Sequence, residues 1–156
     1  MIKSLSKKNQ LKIIKHFKAN KKKLEKECLM LWAEIVKLRT GGKCEFPNCG
    51  KKEPHYKIDA HHFYSKGRYK HIKFDLDNGI ALCCLHHQAG WGKEAAHSDP
   101  NFKDKILGRI QGYKAIRTEQ EWELLNRKAQ TIQKLDIKLE LLYLKQKKEI
   151  LLSTVS

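Results

Sequence analysis

Four of the five cysteines and six of the eight histidines of this 156-residue chain fall between Cys44 and His87, and their spacing nests one set of ligands inside another. The outer set is Cys44-x4-Cys49 with Cys83-x2-His86, two knuckles of the kind that bring four soft ligands to a tetrahedral zinc ion. Because Cys83-Cys84 and His86-His87 are doublets, Cys84-x2-His87 has the same spacing and stands as the alternative second knuckle. The inner set is His61-His62, then Asn78, then His87. Neighbouring residues of a strand point to opposite faces, so one imidazole can hold a cation while the next faces a substrate. A neutral imidazole with a pKa of about 6.5 suits a general base. Hydrolysis of a phosphodiester needs such a base to activate water and a cation to neutralise the charge that develops on phosphorus and the leaving oxygen. The assignment predicted is His62 as the base and His61 with His87 as ligands of a hard divalent cation, Mg²⁺ first and Mn²⁺ second. Asn78, at the start of the second strand, is expected to hold the ring of the base.

These residues need a scaffold of strand, loop, strand and helix. YKIDAHHF (56–63) alternates polar and apolar residues as a short strand does, and residues 79–82 form a second apolar run. The loop between them, 64–75, is rich in Lys, Arg and Tyr, and a helix is expected from about Cys84 onward. A ββα unit of this size has little core of its own, and a structural metal commonly supplies the deficit. Upstream, residues 5–39 read as one helix with apolar residues at Ile14, Phe17, Leu24, Cys28, Leu31, Ile35 and Leu38, ended by Gly41-Gly42. Cys28 stands apart from the ligand clusters and is read as a buried thiol. Downstream, Asp99-Pro100 is expected to start a helix. Thr118 opens a last helix that runs to about Leu152, with Glu119 and Glu121 in its first turn. That last helix shows two apolar stripes. One comprises Leu125, Ile132, Leu135, Leu139 and Leu142, and the other Ile137, Leu141, Leu144 and Leu151. So broad a face calls for a partner: the N-terminal helix, a second copy of the chain in a homodimer, or another protein. The expected fold class is α+β and mostly helical: a zinc-stabilised ββα unit (41–98) between a basic N-terminal helix (1–40) and a C-terminal helical extension (99–156).

Lys and Arg outnumber Asp and Glu by 33 to 17, a formal net charge of +16, which makes nucleic acid the expected partner. In the loop between the strands, Lys66, Arg68, Lys70 and Lys73, with His71 and interleaved with Tyr64 and Tyr69, are the expected phosphate contacts. No apolar run approaches a membrane-spanning length, and MIKSLSKKNQ lacks the apolar stretch of a signal peptide. The bunched, odd-numbered cysteines fit reduced thiols and metal binding rather than a disulfide framework. A cytoplasmic protein without membrane contact is expected.

The order AHH, then DN five residues before a Cys, then C-x2-H-H, resembles the HNH (ββα-metal) endonucleases. The resemblance implies DNA phosphodiester hydrolysis with His62 as base, His61 and His87 at the catalytic cation, and Asn78 as the central Asn. It assigns zinc to Cys83 and His86 rather than to Cys84 and His87. The flanks, LWAEIVKLRTGGKCEFPNCG and a downstream HSDPNF segment, are similar to the phage NinG/Rap-type recombination nucleases over roughly residues 30–125. This implies a phage- or prophage-encoded protein acting in a bacterial cell. The first knuckle here is C-x4-C where many members have C-x2-C. Many members also carry a further ligand four residues after the last motif His, where this chain has Trp91. His97, six residues beyond Trp91, is the residue that can replace it.

Overall fold

The computed structural model of the chain describes residues 7–88 and 94–155. The elements are α1 (Lys7–Leu38), β1 (Ile58–His62), β2 (Gly79–Cys83), α2 (Cys84–His87), α3 (Phe102–Ile106), α4 (Glu119–Gln130) and α5 (Ile137–Val155). The fold is α+β, about half helical, around one two-stranded antiparallel sheet.

The long first helix forms as its periodicity predicts, but only its second half is core. Cys28, Trp32, Ile35 and Val36 are fully buried, whereas Leu11, Ile14 and Phe17 stay open to solvent. Gly41 and Gly42, at φ of +60° and +68°, end the helix. The N–H of Gly42 donates to the Lys37 carbonyl at 3.1 Å, satisfying one of the helix's last free acceptors.

β1 and β2 pair with His61 opposite Ile80 and His62 opposite Gly79. Every residue of β2 is buried, because α1 and α2 both pack on the hairpin. Gly79 is needed for that approach: a Cβ there would lie 2.3 Å from a Val36 methyl and 3.0 Å from the Trp32 ring. Two arginines brace the same point. Arg39 donates to the carbonyls of Leu76 and Gly79, and Arg117 donates to those of Asp77 and Gly79.

Three expectations about helices are corrected. The helix from Cys84 is a single described turn ending at His87. α3 begins at Phe102, not at Pro100, because the Asp99 carboxylate accepts from the Asn101 N–H at 2.9 Å and holds residues 99–101 in a turn. The long last helix is two helices. Thr118 and Glu121 form a capping box that starts α4, but Thr131 turns the chain to extended geometry. Asp136 then starts α5 by accepting from the N–H groups of Lys138 and Leu139 at 3.0 and 3.2 Å, the bonding expected of an N-cap. The break cuts the first stripe, leaving Leu125 on α4 and Leu139 and Leu142 on α5 beside the whole of the second. Ile137, Leu141 and Leu144 are buried, while Ile132 is 91% exposed and Leu139 and Leu142 are mostly exposed. The buried stripe lies on α1, with Lys145–Glu27 and Lys148–Glu34 ion pairs alongside. Each such leucine removed from water contributes roughly 1.5–3 kcal/mol. The N-terminal helix is therefore the partner in cis, and one hydrophobic cluster joins Cys28 on α1, Leu82 on β2 and Leu144 on α5.

Candidate metal centre and catalytic cluster

Cys44, Cys49, Cys83 and His86 converge, with all four ligand atoms within 4.8 Å of one another. A zinc ion with Zn–S of about 2.3 Å and Zn–N of about 2.0–2.1 Å would require tetrahedron edges of roughly 3.8 Å between sulfurs and roughly 3.6 Å from sulfur to nitrogen. The separations are 3.8 Å from Cys49 Sγ to Cys83 Sγ, 3.6 Å from Cys44 Sγ to His86 Nδ1, and 3.4 Å from Cys83 Sγ to His86 Nδ1. The three sulfurs and one nitrogen can thus hold a structural metal such as zinc with little movement. Cys84 is outside the group, so Cys83 with His86 is the second knuckle. Local backbone builds the first one. Cys49 N–H donates to the Phe46 carbonyl at 3.1 Å across the Pro47-Asn48 turn, where Asn48 takes φ of 63°. The Cys83 N–H donates to Cys44 Sγ at 3.3 Å, and Phe46 stacks on the His86 ring at 4.0 Å. Burial raises the thiol pKa of Cys44 and of Cys49, a cost that a cation removes by stabilising the thiolates.

A second group lies at the other side of α2. His61, His87 and His97 bring their ring nitrogens within 4.8 Å of one another, with centroids 5.2–5.4 Å apart. His97 arrives on a turn clipped in place from two sides. Ala96 N–H donates to the His86 carbonyl at 2.7 Å, and Lys105 bridges Glu94 and Asp99 at 2.7 and 2.9 Å. Asp59, two residues before His61 and so on the same strand face, places a carboxylate oxygen 3.7 Å from His87 Nδ1. That nitrogen is buried with no hydrogen-bond partner among the described residues. Burial, then the charges of His87 and His97, push the His61 pKa down to about 3. Burial lowers that of His87. Three imidazoles facing one another are good ligands for a divalent cation. Trp91, four residues after His87, lies outside the described residues, as do Gly90 and Gly92.

His62 points the other way. Its ring stacks on Trp32 of α1, with centroids 3.8 Å apart and planes 13° from parallel. Its Nε2 lies 2.8 Å from the Lys73 carbonyl oxygen. A carbonyl only accepts, so Nε2 carries the proton and Nδ1 is left as a bare acceptor. Burial pulls the His62 pKa down, with the Lys73 bond opposing, and the ring is neutral at neutral pH.

Asn78 was expected to touch this ring, and its bonds run instead to the loop. Its side chain accepts from the Tyr64 N–H at 2.7 Å and donates to the Tyr64 and Ile72 carbonyls at 3.0 and 3.2 Å. The fully buried amide therefore pins both ends of the 64–72 segment, and Lys73, next along, presents the carbonyl that fixes His62. Asn78 acts on the ring through the backbone.

The chain matches no family model, no curated protein and no solved structure.

The loop cations divide. Lys66, Arg68 and Lys70 are exposed, Arg68 resting over the Tyr69 ring. Lys73 is paired with Glu25 at 3.3 Å and is only 17% exposed. His71 is held by the Lys128 carbonyl at 3.0 Å and works as a tie to α4. Beside the site, Lys103 rests over the Phe63 and Tyr64 rings at 4.8 and 5.3 Å, a cation that charge counting along the chain does not single out. Among the described residues, no helix is long and apolar enough to cross a membrane.

Proposed function

We propose that this chain is a metal-dependent DNA endonuclease of the HNH type, stabilised by a structural zinc ion on Cys44, Cys49, Cys83 and His86. In this reading His61, His87 and His97 hold the catalytic divalent cation and His62 is the general base. The observation that carries it is the state of His62: a neutral ring, locked by one carbonyl, with Nδ1 bare at the end of the strand that also bears a cation ligand. A phosphodiester lying across the loop end of the hairpin, where His62 pairs with Gly79, would meet the histidine trio on one side and His62 on the other. The base takes a proton from water, which attacks phosphorus, and the cation neutralises the charge on the phosphoryl oxygens and the departing 3′-oxygen. The resemblance to HNH enzymes implies products with 3′-hydroxyl and 5′-phosphate ends. Three imidazoles suit Mn²⁺ or a later transition ion better than Mg²⁺, which prefers oxygen ligands, so the ion favoured here is Mn²⁺ ahead of Mg²⁺. The charge of +16 supplies the attraction to DNA.

A second reading, a zinc-stabilised DNA-binding module that does not cut, draws on the stacking of His62 against Trp32, on the face away from the trio. Plasmid nicking with and without Mn²⁺ or Mg²⁺ separates the two, run on wild type beside His62→Ala with zinc counted in both. Nicking that needs the cation and falls by about 10²–10⁴-fold in His62→Ala, with zinc retained, supports the endonuclease. DNA retention by both proteins with no nicking by either establishes the binding module.

A further inference from the structure

We propose that the cleft between α3 and α4 takes an unpaired nucleobase from a single-stranded DNA segment, with the adjoining phosphate on Lys103 and Arg109. The proposal rests on the nuclease reading and narrows its substrate. The cleft measures about 850 Å³ and is lined by Phe63, Tyr64, Lys103, Arg109, Trp122 and Asn126 among others. It begins where the histidine trio ends. Phe63 directly follows His62 in the chain, the Phe102 ring lies 5.9 Å from the His61 ring, and the charge of Lys103 acts on His61.

Its wall is aromatic and its mouth is cationic, the pairing that sequence-tolerant single-strand sites use. Phe63 and Trp122 pack with centroids 4.6 Å apart, and Tyr64 meets Phe63 edge-on at 5.1 Å. The Lys103 ammonium lies over both Phe63 and Tyr64, the place a base would stack. Burial depresses its pKa, so the ammonium gains by moving onto a phosphate and leaving the ring faces to a base. The indole N–H of Trp122 is buried with no acceptor among the described residues, and a base carbonyl can satisfy it. The acids of the cleft sort the ligand. Asp104 is paired with Arg109 at 3.4 Å, while Glu119 and Glu123 line the α4 side. Phosphate therefore belongs on the α3 side, with exocyclic amino groups toward α4. A base inside a duplex shows only its edge and reaches such a wall only by leaving the stack.

The test is equilibrium binding of the full, zinc-loaded chain without added divalent cation. The probes are a short oligodeoxycytidylate, whose base offers both a carbonyl and an exocyclic amino group, the same length of duplex, and deoxycytidine monophosphate. The expected result is preference for the single strand, weakened about 10- to 150-fold in Lys103→Met, the loss of a charged hydrogen bond to phosphate, and about 2- to 10-fold in Trp122→Phe, the loss of a neutral one, and kept in Lys103→Arg. A folded, zinc-bearing Lys103→Met that keeps single-strand affinity within about twofold overturns the proposal. So does a Lys103-dependent uptake of the mononucleotide with no preference for a strand. In either case nicking by wild type leaves the nuclease reading standing, whereas absence of all DNA binding removes both.

Discussion

Replacing Asn78 by Ala tests the link between the loop and the proposed base. The substitution removes three hydrogen bonds from a side chain that is fully buried. The Tyr64 N–H loses its acceptor in a place water does not reach, at a cost of about 1–3 kcal/mol. The two carbonyls lose donors, and each such bond is worth about 0.5–1.5 kcal/mol net. A loss of about 4 kcal/mol is the expected sum, which a domain toward the upper part of the usual range of about 5–15 kcal/mol survives. In urea, with a slope of about 2 kcal/mol per molar, the midpoint should fall by about 2 M. Activity should fall further than stability explains. At denaturant-free conditions the variant is folded and zinc-loaded, yet the Lys73 carbonyl is no longer pinned through Ile72 and the His62 ring loses its fixed tautomer. Plasmid nicking should drop toward that of His62→Ala, while cation binding to the trio is retained. Asn78→Asp separates shape from bonding: it keeps the acceptor for Tyr64 but turns a carboxylate oxygen onto two carbonyls, so its pKa rises on folding. Stability of that variant should decline as pH rises above about 4, where the unfolded chain ionises and the folded one resists. An Asn78→Ala protein with an unchanged urea midpoint and unchanged nicking would refute the reasoning.

Cys44→Ala should lose zinc and cooperative unfolding together, read by metal analysis and a denaturant transition; a zinc-loaded, cooperatively folding variant would contradict the metal centre. Gly79→Ala forces the Cβ into Val36 and Trp32, and overpacking of this kind costs about 1–3 kcal/mol. Its nicking should also fall because Trp32 carries the His62 ring, and a variant as stable and active as wild type would count against that packing. His61 titrates at about 3 in the fold and at about 6.5 when unfolded, so the unfolded state binds its proton first. In protein prepared without the catalytic cation, stability is full above about pH 6.5 and declines below it, by up to roughly 1.4 kcal/mol per pH unit for this residue. Urea midpoints between pH 7 and pH 4.5 should fall less steeply in His61→Gln, and parallel slopes would remove His61 as the cause.

The ligand spacing was legible because cysteines in polar, turn-rich sequence have little reason to be there without a metal. The doublet at Cys83-Cys84 was resolved by folding: Cys83 closes β2 beside Cys44, while Cys84 begins the next turn. The helix break at 131–136 went unread because apolar residues keep their spacing across it, through Ile132 and Leu135 to Leu139. Its signal was present in Asp136, an N-cap residue standing before an apolar run. Asn78 is expected on the ring of His62, and its bonds go instead to the loop backbone. Its partners lie fourteen and six residues back along the chain, and no local pattern specifies which backbone groups a buried amide will meet. Asp59 needed only the alternation of β1 to be found, since it shares a face with His61. Lys103 and His97 depend on how α3 and the turn before it fold back on the hairpin, which periodicity does not encode.

The two clusters are joined at one turn of helix. Cys83 and His86 serve the zinc group, and His87 serves the trio. α2 is four residues long, and its first residue has no side-chain cap. A single turn fixes several dihedrals for few hydrogen bonds and is unstable alone, so something outside it must set its geometry. A metal on Cys83 and His86 would do so on one side. Ala96 N–H on the His86 carbonyl does so on the other, and the same peptide delivers His97. Phe46 extends the coupling by stacking on His86 and meeting Phe102 at 5.6 Å, which in turn contacts His61. A zinc ion held here would thus be more than a substitute for a small core. It would order three elements at once, β2, the α2 turn and the 95–99 turn, that bring the second and third histidines of the trio to the first. On the proposed reading, metal affinity at the trio then depends on zinc at the knuckles, although the two share no ligand.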